Sequence, residues 1–167
     1  MRAEWMIHSQ VEHVLAALTP ANRLVMRVCL HTGLRLGDVL ELKTAALGPS
    51  MWVTEKKTGK RKQVGLPKPL LYAVKAQAGK EWAFPGRLDQ SKHRTRQAVW
   101  ADVKRAAKAF RMPQNVSPHS ARKVYAVELR DKYGSMKRVQ RALNHSSESV
   151  TLIYAMADKL LENKVRS

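Results

Sequence analysis

Apolar residues recur at helical spacing through most of the chain. Val11, Val14, Leu15 and Leu18 share one face of a segment that Ser9 and Glu12 open as a capping box, which predicts a helix over about 10–18. Thr19-Pro20 starts a second helix, with proline at its first position. Leu24, Val25, Val28 and Cys29 carry its apolar face, and Gly33 stops it. LGDVLELK (36–43) reads as a short third helix. The period then changes. MWVT (51–54) and KQVGL (62–66) have strand character and flank EKKTGKR, whose Thr-Gly pair suits a turn. Pro67 and Pro69 restart a helix over about 69–78, and residues 84–95 read as a loop. Residues 95–110 form a basic amphipathic helix with Val99, Trp100, Val103, Ala107 and Phe110 inward. Ser117-Pro118 opens a helix running to about Tyr133 and closed by Gly134. Ser135 caps a short helix ending near Asn144, and a last helix follows His145 with Val150, Ile153, Tyr154 and Leu161. The pattern predicts an α+β fold: mainly α with one small antiparallel hairpin, in a single domain spanning residues 1–167.

Composition adds a partner to this picture. The 167 residues are 44% apolar, enough for an ordinary core, and no window approaches the roughly 18 consecutive apolar residues of a membrane span. Thirty-one Lys and Arg against 13 Asp and Glu give a net charge of +18, which points to a polyanion and to nucleic acid ahead of a membrane surface. The excess is uneven: +1 over residues 1–50, +12 over 51–111 and +5 over 112–167. The middle segment therefore reads as the side facing nucleic acid, with Lys56, Lys60, Arg61, Lys62, Arg94 and Arg96 as backbone contacts, and on charge alone a ribosomal-type RNA-binding protein fits as well. Cys29, the one cysteine, excludes an intramolecular disulfide and a cysteine metal cluster, and reads as a buried structural thiol. Trp5, Trp52, Trp82 and Trp100 sit in apolar patterns and read as core. His8, His13, His31 and His93 read as surface or structural.

The candidate chemistry lies in four separated stretches. They are TGLRLGDVLEL with Arg35, KKTGK with Lys57, SPHSAR with His119 and Arg122, and LNHSSESVTLIY with His145 and Tyr154. The chain offers no clustered carboxylates of the kind a metal-dependent nuclease needs, and no HExxH, phosphate-loop or CxxC motif. Two arginines, a lysine, two histidines and a tyrosine suit metal-free, cofactor-free attack on a phosphodiester. Arginines present paired donors to non-bridging phosphate oxygens and keep their charge, so they stabilise the charge that builds in the transition state. A phenol of pKa ~10 needs cations and a proton acceptor nearby, and a histidine titrates in the right range. A lysine can protonate the leaving oxygen. His119 and Arg122, three apart, share one helix face. His145 and Tyr154, nine apart, would diverge on one unbroken helix, so their convergence requires a turn at Ser146-Ser147.

Together these stretches resemble the catalytic domain of the tyrosine recombinases, the phage integrase family, over about residues 8–160. TGLRLGDVLEL is similar to the family's first arginine box, with Asp38 as its acidic residue. KTGK is similar to the hairpin carrying the catalytic lysine, SPHSAR to the H-x-x-R box, and LNHSSESVTLIY to the histidine–tyrosine box. The resemblance implies that Tyr154 is the nucleophile of a 3′-phosphotyrosyl intermediate. Arg35 and Arg122 would hold the phosphate, Lys57 would act as general acid, His119 would assist proton transfer and His145 would position the phosphate. It further implies double-stranded DNA as partner and self-association on DNA, a tetramer in the recombination complex, while leaving a monomer open off DNA. It places the protein in the cytoplasm of a prokaryote or phage-infected host, without metal, cofactor or membrane. Asn144 and Lys123 depart from the common pattern at positions outside the proposed chemistry. Family members usually carry an N-terminal DNA-clamping domain; the resemblance begins almost at the catalytic domain, so the expectation is a catalytic domain alone, either excised or naturally short. The tail AMADKLLENKVRS offers Leu160, Leu161 and Val165 for packing on a neighbouring subunit.

Two other functions fit parts of the pattern. A type IB topoisomerase shares the chemistry but acts as one protomer, and a non-catalytic basic module would bind without cutting. The full set of catalytic residue types and the short tail favour a site-specific recombinase. Whichever holds, affinity for duplex DNA is expected to fall steeply with salt, log K dropping by ~0.9 per log unit of salt for each phosphate neutralised. A titration between low and physiological salt checks this, and a flat response would remove the basic segment from the interface.

Overall fold

The computed structural model describes residues 6, 8–113 and 115–143. His145, Tyr154, the turn expected at Ser146-Ser147, the last helix and Trp5 lie outside the described residues. Helices α1 (His8–Ala17), α2 (Pro20–Thr32) and α3 (Leu36–Leu40) come first, then a 3₁₀ turn at Thr44–Ala46. Strands β1 (Ser50–Thr54) and β2 (Arg61–Gly65) follow, then α4 (Lys68–Gln77), α5 (Arg96–Ala109), α6 (Pro118–Tyr133) and α7 (Met136–Ala142). The mainly α fold with one antiparallel hairpin is thus the observed architecture. No helix among the described residues is long and apolar enough to cross a membrane.

Helix α2 is the hub: α1, α3, α4, α5, α6 and β2 all pack against it. Val25, Val28 and Cys29 are buried on it, and burial pushes the Cys29 thiol up to about 12. On α1, Val11, Val14, Leu15 and Leu18 are all buried, as the spacing predicts. Its capping box is not at the cap, however, because the helix already includes His8 and places Ser9 inside it. Asp102 of α5 supplies a tie between α2 and α5 that the sequence pattern did not predict. Its Oδ2 accepts from Thr19 N (3.0 Å), Thr19 Oγ1 (3.1 Å) and Asn22 Nδ2 (2.8 Å), serving orphan donors at the start of α2. Burial works to raise the Asp102 pKa, but the hydrogen bonds from Asn22, Thr19 and Arg105 outweigh it and hold the carboxyl below its ordinary value.

The hairpin pairs Ser50 with Gly65, Met51 with Val64, Trp52 with Gln63, Val53 with Lys62 and Thr54 with Arg61. Met51, Val53 and Val64 face the core. Trp52 alternates outward and is 58% exposed, with the Arg61 guanidinium 4.8 Å from its ring centroid. Trp100 is 52% exposed, since α5 buries the face of Val99, Val103 and Ala106 and Trp100 lies about 100° around from Val99. Phe110 also lies outside the core, at the C-cap, stacked on His13 at 5.2 Å. Trp82 is half-buried, its indole N–H donating to Ser91 O (3.0 Å) and Lys43 Nζ 3.4 Å from its ring. The expectation of core tryptophans is therefore corrected for all three that are described.

Gly33 joins α2 to the segment carrying Arg35. It adopts a left-handed φ of +67°, and a Cβ there would stand 2.4 Å from Tyr125 Cδ1 on α6. Gly33→Ala must then bear both left-handed strain and a clash with a packed ring. It is expected to cost about 2–4 kcal/mol and to lower the melting temperature by about 5–15 °C. A loss below about 1 °C would mean that neither the left-handed backbone nor the Tyr125 ring constrains this position.

Candidate active site

Arg35 is the N-cap of α3, in extended backbone two residues after Gly33. Its Nη1 donates to Glu55 Oε2 at 2.9 Å, and Glu55 is fully buried (0% exposed). The neighbouring Asp38 instead accepts from Lys56 N at 3.1 Å, while Glu41 pairs with Lys56 Nζ at 2.5 Å. Burial pushes the Asp38 pKa up, the Lys56 N–H lowers it in part, and the Glu55 charge adds to the rise.

Helix α6 presents two further side chains. Ser117 is its N-cap, with Ser117 N donating to Ser120 Oγ at 3.2 Å, so His119 falls in the first turn and Arg122 one turn on. Arg122 is 4% exposed. Its Nη1 donates to Gly33 O (3.1 Å) and its Nη2 to Leu143 O (3.2 Å), bracing the ends of α2 and α7. The N-terminal end of the 16-residue α6 adds partial positive charge beside His119.

These elements enclose a cavity of about 560 Å³. Arg35, Lys57, His119 and Arg122 line it together, with Arg96, Gln97 and Trp100 from α5. Four side chains from three separate stretches of sequence thus meet at one concave, cationic surface, of a kind suited to an anion of phosphate charge.

Residues 4–160 match the model of the phage integrase family. The chain belongs to that family. A tyrosine recombinase XerD from Xanthomonas axonopodis pv. citri is 32% identical over 173 residues, covering 89% of this chain and 56% of that protein. Among solved structures, the lambda integrase catalytic core superposes with a TM-score of 0.75 at 21% identity, over 87% of this chain and 93% of that one. A lambda integrase tetramer bound to a Holliday junction gives a TM-score of 0.73 at 22% identity, over 88% of this chain and 48% of that one. These likenesses establish the fold as that of an integrase catalytic core. The chain spans about half the length of the curated relatives it matches.

Of the six residues expected to carry integrase chemistry, four line the cavity, and His145 and Tyr154 lie outside the described residues. The six expected DNA contacts divide. Lys56, Lys60 and Arg61 are exposed on the hairpin and Arg96 at the cavity. Lys62 differs, because strand alternation puts it on the inner face opposite Val53 and beside Val64. Its Nζ donates to Thr32 O at 2.5 Å and lies 5.2 Å from the Tyr125 ring centroid. Arg94 also differs. It is half-buried on a separate cavity of about 890 Å³, on the side of α5 shared with Asp102 and the start of α2, and burial lowers its pKa. Three residues at the site were missed: Gln97, Trp100 and Glu55. For Glu55 the signal was present, since alternation from Met51 and Val53 carries to position 55 on the buried face.

Lys62 is the inner cation with a testable titration. Burial lowers its pKa from the ordinary 10.5 to about 8; Glu55 opposes the fall, and Arg122 and Arg35 add to it. The unfolded chain keeps this proton to higher pH, so the folded state binds fewer protons between those two values. The Lys62 contribution to stability is therefore least favourable below pH 8 and improves as pH rises toward 10.5. Lysine side-chain NMR should show one Cε resonance titrating near pH 8 and absent from Lys62→Met. Titration of every lysine above about pH 10 would place Lys62 in solvent.

Proposed function

We propose that this chain is the catalytic domain of a site-specific DNA recombinase that cleaves and rejoins strands through a 3′-phosphotyrosyl intermediate. The observation that carries this reading is the convergence of Arg35, Lys57, His119 and Arg122 on one cavity beside the start of α6. Family membership supports it.

In this reading the scissile phosphate enters the cavity. Arg35 and Arg122 hold its non-bridging oxygens and stabilise the charge that builds on them. The Tyr154 oxygen bonds to phosphorus as its proton passes toward His119, with His145 positioning the phosphate. The bond from phosphorus to the 5′ oxygen breaks, and Lys57 delivers a proton to that oxygen. The ester energy is retained in the phosphotyrosine, so attack by a 5′ hydroxyl reverses the step without external energy. Lys56, Lys60, Arg61 and Arg96 follow the DNA backbone around the cavity. Double-stranded DNA is the partner, and four copies assemble on it during exchange; the lambda integrase tetramer on a Holliday junction supports that assembly by likeness of fold. The site of action is the cytoplasm, at the nucleoid.

Covalent trapping tests the reading. Protein mixed with random-sequence nicked duplexes should give denaturation-resistant protein–DNA adducts that Tyr154→Phe abolishes. Arg35→Ala and Arg122→Ala should each reduce the rate by about 10²–10³-fold. Adducts that persist in Tyr154→Phe would overturn the assignment. Transfer of strands between two duplexes then separates a recombinase from a relaxing enzyme.

A further inference from the structure

A fully buried carboxylate behind the wall of a cationic cleft carries a desolvation cost that its partners must offset. Glu55 is such a group, and its contacts run in two directions. Its Oε2 accepts from Arg35 Nη1 (2.9 Å) and from Thr58 Oγ1 (3.2 Å). Its backbone closes the hairpin turn, with Glu55 N donating to Lys60 O (2.9 Å) and Gly59 N donating to Glu55 O (2.8 Å). Lys57 thus stands between two anchored neighbours: Lys56, whose N–H is held by Asp38 Oδ1 (3.1 Å), and Thr58, whose hydroxyl is held by Glu55. The turn itself is otherwise exposed, and nothing lies within 4 Å of where a Cβ on Gly59 would stand. These contacts tie an otherwise open turn to the body of the fold.

We infer that Glu55 is a positioning residue that fixes Lys57 relative to Arg35, and so sets the proton donor against the phosphate that Arg35 holds. The inference rests on the function proposed above. Glu55 touches neither DNA nor the reacting atoms; it joins the two groups that do. Misplacing a proton donor by about an ångström is worth about 10²-fold in rate.

The leaving group tells positioning from general structural damage. With oxygen at the 5′ bridging position, the departing alkoxide needs a proton from Lys57. With sulfur there, the P–S bond breaks and the thiolate departs with the electron pair, needing no proton because a thiol has pKa ~8.5. The probe is a nicked duplex of the sequence recovered from wild-type adducts, synthesised with either atom. Glu55→Ala should form adducts about 10–100-fold more slowly than wild type on the oxygen substrate and within about threefold of it on the sulfur substrate. Glu55→Gln, which keeps an acceptor for Arg35 and Thr58, should stay close to wild type. Arg122→Ala should remain slow on both. If Glu55→Ala does not fold, Thr58→Val removes one anchor from an exposed turn and should show the same sulfur relief at smaller amplitude. Wild-type rates in Glu55→Ala, or equal slowing on both substrates, would overturn the inference and leave the proposed function standing. Absence of adducts from the wild type would remove both.

Discussion

Arg122 brings a permanent charge to a position where 4% of the residue meets solvent, and much of the molecule is arranged around that fact. Enclosing an ion costs several kcal/mol even after relaxation. Here the guanidinium donates to two main-chain carbonyls, Gly33 O after α2 and Leu143 O after α7. Carbonyl dipoles offset part of the cost without neutralising the charge. Arg122 therefore does two things at once. It ties α2, α6 and α7 together, and it puts positive charge at the cavity wall, which adds to the burial that lowers the Lys62 pKa. An apolar replacement would remove the enclosed charge and, with it, the potential that the proposed phosphate site requires.

Much of the architecture was legible because periodicity and end signals agreed. Pro20 and Gly33 bound α2, Ser117 and Gly134 bound α6, and the change to period two marked the hairpin. Failures came where one residue type was read without its angular place. Trp100 was assigned to the core on hydrophobicity, yet Val99 and Val103 already define the buried stripe of α5 and leave Trp100 to the side. Lys62 was assigned to the DNA-facing surface on charge, yet alternation from Val64 turns it inward. Glu55 was passed over, although the same alternation carries it to the buried face. In each case the local pattern outweighed residue identity. Asp102, by contrast, reaches Thr19 across 83 positions, and no local pattern encodes a contact of that range.

Helix α5 divides the labour of the two hollow regions. One side contributes Arg96, Gln97 and Trp100 to the cationic cavity, and the other contributes Ala98, Ala101, Asp102 and Arg105 to the larger hollow near the start of α2. Asp102 fastens that second side to α2 through Thr19 and Asn22. The anchoring is thus on the face away from the proposed chemistry. The basic face can then carry closely spaced like charges because its backbone is held from behind.

Cys29 lies in the last turn of α2, 1% exposed, with a thiol pushed up to about 12 and so held in its unreactive protonated form. It is also the sole cysteine in the sequence. Native sulfur chemistry is consequently silent, and the surface is a blank background for installed thiols. A cysteine placed at Lys60 or Arg61 would be the one accessible nucleophilic sulfur on the protein, open to a fluorophore or to a disulfide tether on modified DNA. The path of the duplex over the hairpin becomes something that can be mapped one attachment point at a time.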